Sequence, residues 1–140
     1  MSKGTLKFKH ETKLRVRYGE TDQMGYCYYG NYAQYFEVGR VEALRSLGCS
    51  YKQLEEDGIM LPVSEYNVKY KRPAFYDDEL TIVTSITEIK GPRIRFEYLI
   101  KNTEGSTVAE AFTTLVFVKK ENMRPCPPPQ SFIDLIEKHS

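Results

Sequence analysis

Asp22 stands in a segment of glycines and polar residues, GETDQMGYCYYG (residues 19–30), which ends where a helix is expected to begin. A carboxylate so placed can attack as a nucleophile or activate a water as a general base. The first turn of a helix leaves N–H groups without intrahelical partners, at the positive end of the helix dipole, and these can polarise a carbonyl oxygen. Together the two features suit chemistry at an acyl carbon. Taken alone, an aspartate in a glycine-rich loop is as readily a turn residue. Cys27 lies in the same segment, but a thiol nucleophile needs a basic partner, and the only histidines, His10 and His139, sit near the chain ends. Cys27 therefore reads as a small packing residue.

The elements that must position Asp22 follow from periodicity. Leu14, Val16 and Tyr18 alternate with Lys13, Arg15 and Arg17, which predicts a half-buried strand over residues 12–18. Downstream, Asn31 followed three residues later by Gln34 has the pattern of a capping box. Tyr32, Phe36, Gly39, Ala43 and Leu47 then fall on one arc of a helix, and Gly48 supplies the stop. Val38 and Val41 lie off that arc, which suggests cover on a second side, with a partner subunit as one source.

A short helix is expected over 51–57, then a strand over 61–71 in which Tyr66, Val68 and Tyr70 share a face and Pro73 ends the run. Leu80, Ile82 and Ile86 continue the period up to Lys90-Gly91-Pro92. Ile94, Phe96, Tyr98 and Ile100 then alternate cleanly with charged residues up to a turn at 102–105, so these strands read as a meander. Residues 107–118 are apolar on both faces and read as a central strand buried on both sides. The prolines of RPCPPP cannot continue a ladder, and Phe132, Ile133, Leu135 and Ile136 suggest a short terminal helix. The expected class is α+β, with antiparallel strands wrapped around one long helix.

At 140 residues the chain suits one domain. Twenty Lys and Arg nearly balance nineteen Asp and Glu, so no global field favours nucleic acid or an anionic membrane, and any phosphate site must be local. The aromatics alternate into apparent cores instead of sitting among a basic cluster, which also disfavours nucleic acid. No run approaches the length of a membrane span, and the opening MSKGTLKFKHETK lacks the apolar middle of a signal peptide, so a cytoplasmic location is expected. Three cysteines, Cys27, Cys49 and Cys126, without paired zinc spacing, fit a reducing compartment without a disulfide framework. With no clustered histidine and cysteine ligands, neither a metal nor an organic cofactor is expected.

The stretch YGETDQMGYCYYGNYAQYFEVGRVE (residues 18–42) resembles the signature of the 4-hydroxybenzoyl-CoA thioesterase family: an aspartate, a glycine three residues on, an aromatic run, an Asn-Tyr pair opening a helix, and an arginine two turns along. Here these are Asp22, Gly25, Tyr28 and Tyr29, Asn31 and Tyr32, and Arg40. The segment VKYKRPAFYDDELTI (residues 68–82) resembles the family's second-strand, loop and third-strand region. The resemblance implies a hotdog fold of about five antiparallel strands around one long central helix, with a core over about 12–120 and a C-terminal tail carrying a short helix. It implies an acyl-CoA thioesterase in which Asp22 is nucleophile or general base, the backbone N–H of Tyr29 polarises the carbonyl, and Gly30 leaves room for the thioester. It also implies a homo-oligomer, dimer or tetramer, since relatives build their sites between subunits.

Further residues are candidate substrate contacts. Tyr18 matches an aromatic near the pocket in similar proteins, although as a strand residue it could equally be core. Asn31 has a plain role as helix cap besides any contact with substrate. Glu37 is the second carboxylate to weigh, because another branch on this fold carries its acid on the helix; the alternative is an i, i+3 pair with Arg40. Coenzyme A brings phosphates, for which Lys71 and Arg72 at a strand end, and Lys90 and Arg93 at a hairpin, offer basic rims. The rival readings are a hotdog dehydratase, which would ordinarily need a histidine in the site, and a non-catalytic module that binds acyl groups or acyl-carrier protein, itself also a possible substrate carrier. The acyl group is not legible from these residues.

Overall fold

The computed structural model describes residues 8–139; the chain start, read above for its lack of a signal peptide, extends outside them. Strand β1 (Phe8–Arg15) leads through two short 3₁₀ turns into helix α1 (Tyr32–Ser46), followed by α2 (Tyr51–Glu56). Then come β2 (Ile59–Met60), β3 (Val63–Tyr70), β4 (Glu79–Lys90), β5 (Arg93–Lys101), β6 (Thr107–Val116), β7 (Val118–Lys119) and helix α3 (Gln130–Lys138). Five strands form one antiparallel sheet in the order β1-β4-β5-β6-β3, while β2 and β7 pair apart from it. The sheet curves around α1, the arrangement expected of a hotdog fold. No described helix is long and apolar enough to cross a membrane.

Alternation puts Leu80, Ile82 and Ile86 of β4, and Ile94, Phe96, Tyr98 and Ile100 of β5, into the core with Phe36, Ala43 and Leu44 of α1. Burying each large apolar side chain stabilises the fold by about 1.5–3 kcal/mol. Gly39 allows the closest approach of helix to sheet: a Cβ there would lie 2.6 Å from Thr84 Oγ1 and 2.8 Å from Ile82 Cγ2. Gly48, at φ +90°, ends the helix in the left-handed region that glycine favours. Phe132 of α3 packs edge-on against Phe117 at 5.4 Å, which docks the tail on the core. All three cysteines are free and buried.

Four local expectations are corrected. The first strand runs over Phe8–Arg15, not 12–18, because Glu20 turns its carboxylate back onto the Arg17 N–H and closes a 3₁₀ turn; Val16 still bonds to Asp78, but Tyr18 is 77% exposed. Asn31 makes no side-chain cap: its Nδ2 donates to the Glu20 carbonyl at 2.8 Å, so the capping box with Gln34 does not form. Strand β6 is interior, paired with β5 and β3, but it is not buried on both faces: on its outer face Glu110 is exposed while Phe112, Thr114 and Val116 are half-buried. Arg40 does not pair with Glu37. Its buried guanidinium instead donates to the hydroxyls of Tyr51 (2.6 Å) and Tyr98 (3.0 Å), and Glu37 stays exposed.

Candidate active site

The loop between β1 and α1 is stitched down at several points. Cys27 N–H donates to the Ala74 carbonyl at 2.6 Å, and bridges pair Thr21 with Cys27 and Tyr26 with Phe75, so the loop lies along the connection between β3 and β4. Asp22 opens a tight turn within it. Its N–H donates to the Tyr26 carbonyl, its own carbonyl accepts from Gly25, and its Oδ1 accepts from the Met24 N–H at 2.9 Å. Gly25 takes the positive φ of +87° that this turn requires. The turn role and the chemical role of Asp22 therefore coexist: Oδ1 is engaged, whereas Oδ2 has no hydrogen-bond partner among the described residues.

The helix begins as a 3₁₀ turn at Tyr29–Asn31 and continues into α1. Among the described residues the N–H groups of Tyr29 and Gly30 have no partner, as the start of a helix dictates. Asp22 and Tyr29 line one cavity of about 600 Å³ together with Cys27, Tyr32, Tyr70, Lys71 and Arg72. Tyrosine rings make much of its wall: Tyr70 meets Tyr32 at 5.2 Å and Tyr29 at 6.2 Å, both edge-on, and the Tyr70 hydroxyl donates to the Tyr29 carbonyl at 3.4 Å. Lys71 and Arg72 are exposed and form no ion pair among the described residues; their N–H groups share the Val108 carbonyl, which fixes the backbone and leaves the side chains free.

Gly30 also has a neighbour within the chain that its missing side chain leaves room for. A Cβ there would come within 2.5 Å of Tyr28 Cε2, so the missing side chain accommodates the Tyr28 ring. Tyr18 lies outside the cavity, edge-on to Tyr76 at 5.7 Å. Asn31 is spent on the Glu20 carbonyl. Glu37 lines a separate cleft of about 360 Å³ with Phe36, Arg40, Val63 and Tyr66. Lys90 and Arg93 face each other across the β4–β5 hairpin, whereas Tyr70 is level with Ile82 through the ladder, so that hairpin lies about 26 Å along the sheet. Within one chain, then, Asp22, Tyr29, Lys71 and Arg72 come together and Tyr18, Glu37, Lys90 and Arg93 do not join them.

Cys27 is 3% exposed, with Sγ 3.3 Å from the Tyr35 hydroxyl. Burial foremost, and the charges of Glu20 and Asp22, push its thiol up, which opposes a thiolate nucleophile. His10 contacts Thr12 within β1 and His139 caps α3, so neither reaches the cavity. No cluster of three or more His, Cys, Asp or Glu among the described residues is arranged to hold a metal. Two groups escaped the sequence reading. Tyr70 reads from the sequence as a strand residue and not as a site residue, and Glu20 passes for a solvated loop residue although it is buried, 8% exposed. Only its proximity to Asp22 hinted at it.

Comparison with known proteins gives one consistent result. The model of the thioesterase-like superfamily matches residues 16–136. The acyl-CoA thioester hydrolase YbgC of Escherichia coli O6:H1 is 33% identical over 120 residues, covering 86% of this chain and 90% of that protein. Among solved structures, a DHNA-CoA thioesterase from Staphylococcus aureus superposes with a TM-score of 0.85 at 35% identity, covering 92% of this chain and 87% of that one. A mutant 4-hydroxybenzoyl CoA thioesterase complexed with 4-hydroxybenzoyl CoA does so with a TM-score of 0.85 at 25% identity, covering 92% and 99%.

Proposed function

The chain belongs to the thioesterase-like superfamily, and from that membership we propose that it is an enzyme hydrolysing acyl-CoA thioesters to a free acid and coenzyme A, with Asp22 as nucleophile or general base. The observation that carries the reading is the shared cavity: a carboxylate with one free oxygen and a helix-start residue with an unpaired N–H line the same space. In the nucleophilic route Asp22 Oδ2 bonds to the acyl carbon, coenzyme A leaves as its thiol after taking a proton, and water cleaves the resulting anhydride. In the general-base route Asp22 takes a proton from the attacking water instead. Either route builds negative charge on the carbonyl oxygen, where the Tyr29 N–H and the helix dipole stabilise it. Lys71 and Arg72 at the rim suit the phosphates of coenzyme A.

The working unit is a homo-oligomer, a dimer or tetramer. Supporting this, β3 is an unpaired sheet edge on which Val63, Tyr66 and Tyr70 are each more than 40% exposed, an apolar edge that a second copy would cover. A site completed across that edge is where Glu37, Lys90 and Arg93 would have to enter if they contact substrate at all. The reaction draws only on a carboxylate and N–H donors, so it needs no metal or organic cofactor, and the proposed location is cytoplasmic.

A screen of short, long and aromatic acyl-CoAs together with an acylated carrier protein tests the function directly. Release of free coenzyme A from at least one thioester is expected. Binding without release across the whole panel would favour a non-catalytic acyl-binding module.

A further inference from the structure

We propose that Glu20 is the positioning residue that holds Asp22 against the helix start, an inference that rests on the role of Asp22 given above. Glu20 precedes Asp22 by two residues and its side chain reaches in two directions. Oε1 accepts the Arg17 N–H at 2.9 Å and the Tyr35 hydroxyl at 2.7 Å, while Oε2 accepts the Arg17 guanidinium at 3.1 and 3.2 Å. The Glu20 carbonyl accepts two further bonds, from the Tyr28 N–H and from Asn31 Nδ2, both at 2.8 Å. Arg17 belongs to the loop, whereas Tyr28, Asn31 and Tyr35 flank or form the start of the helix. One residue therefore ties the loop bearing the carboxylate to the turn bearing the unpaired N–H groups.

The same arrangement could serve stability alone, and two facts point beyond that. The ion pair with Arg17 is a weak staple, because the Arg17 side chain is 78% exposed. A buried carboxylate is a demanding way to close a loop, since it is tolerated only when its oxygens are fully hydrogen-bonded. What this one secures is the relative placement of Asp22 and Tyr29, and attack on a carbonyl is sensitive to displacements of about 1 Å. Burial by itself would raise the Glu20 carboxyl, but the bonds from Arg17 and Tyr35 and the Arg17 charge outweigh it and hold the group below the usual carboxylate range.

The test is a double-mutant cycle on the full chain, using the acyl-CoA that the panel identifies as the best substrate. Glu20→Gln keeps size and one acceptor but replaces an oxygen that faces either Arg17 or Tyr35. It should lower kcat about 10- to 100-fold with KM within about twofold, in a protein that remains folded by circular dichroism. In an Asp22→Asn background the same change should cost less than about threefold, because it acts through the carboxylate already removed. An equal loss in both backgrounds, a change confined to KM, or turnover at the parental rate would overturn the assignment. Asp22→Asn at the parental rate would sink the reading of Asp22 and this inference with it, whereas a slow Asp22→Asn with an undiminished effect of Glu20→Gln sinks this inference alone. If Glu20→Gln does not fold, Tyr35→Phe takes its place in the cycle, with a loss of about 3- to 10-fold expected in the parental background and none beside Asp22→Asn.

Discussion

The Met24 N–H donates to Asp22 Oδ1 at 2.9 Å, and that bond divides the two oxygens of this cavity-lining carboxylate into one that holds the turn and one without a hydrogen-bond partner among the described residues. Asp22→Asn keeps an acceptor for Met24 and removes the charge and basicity from the other position. Turnover should fall by about 10²- to 10⁴-fold with the fold intact and substrate affinity changed much less. Steady-state kinetics beside a thermal melt checks this. Unchanged turnover would remove Asp22 from the mechanism.

Glu37→Gln is the complementary variant. Because Glu37 is exposed and lines a cleft separate from the cavity of Asp22, its loss should change kcat/KM by less than about threefold, as expected when no charged bond to substrate is broken. A loss comparable with that of Asp22→Asn would move the chemistry to the helix face.

Lys71→Gln and Arg72→Gln should each raise KM for acyl-CoA by about 3- to 10-fold with kcat retained, the size of one exposed charged contact. The parental KM should rise with salt for the same reason. Acyl-pantetheine thioesters, which lack the nucleotide phosphates, provide the control. If their KM rises equally in the variants, the two side chains do something other than hold phosphate.

Gly39→Ala tests the packing of helix on sheet. The added methyl would press on Thr84 Oγ1 and Ile82 Cγ2, and overpacking of that kind costs about 1–3 kcal/mol. A urea titration should show the loss as a lower midpoint. An unchanged midpoint would mean that α1 shifts freely against β4.

The Glu20 network makes stability depend on pH in a defined sense. Its carboxyl is held below the reference value of 4.5 in the folded chain, so the folded state gains from it above that value. The gain disappears as pH falls through the lower, folded value. Parental protein should therefore exceed Glu20→Gln in stability at pH 6 and lose that margin progressively as pH falls below 4.5, which urea midpoints at stepped pH would record. Parallel curves over that interval would show that the carboxylate charge contributes nothing.

The meander was legible because its strands have one wet face and one dry face: Ile94, Phe96, Tyr98 and Ile100 against Arg93, Arg95, Glu97 and Lys101 leaves little choice of register. The long helix was legible through its single apolar arc and the glycine at its end. Contacts between residues distant in sequence were not. Glu20 meets Tyr35, and Arg40 meets Tyr51 and Tyr98, only after the sheet has wrapped the helix, and the local rules that suggested a capping box at Asn31 and an ion pair at Glu37 have no access to such partners. The outer face of β6 misled for a related reason: apolar content on both sides of a strand predicts cover, but a single chain supplies it on one side only. In the cavity, Asp22 and Tyr29 were expected, and Lys71 and Arg72 arrive with them because the loop runs antiparallel to the segment after β3.

Cys27, Cys49 and Cys126 are 3%, 7% and 7% exposed, and this has a practical side. Thiol-reactive dyes report the sulfhydryl of released coenzyme A, and a folded protein that hides its own thiols contributes little background colour to such an assay. The same dye becomes a stopwatch when substrate is omitted. Labelling then requires opening of the loop before α1 for Cys27, of the end of α1 for Cys49 and of the proline-rich tail for Cys126, so mass spectrometry of the labelled sites would rank the three regions by how often each comes apart.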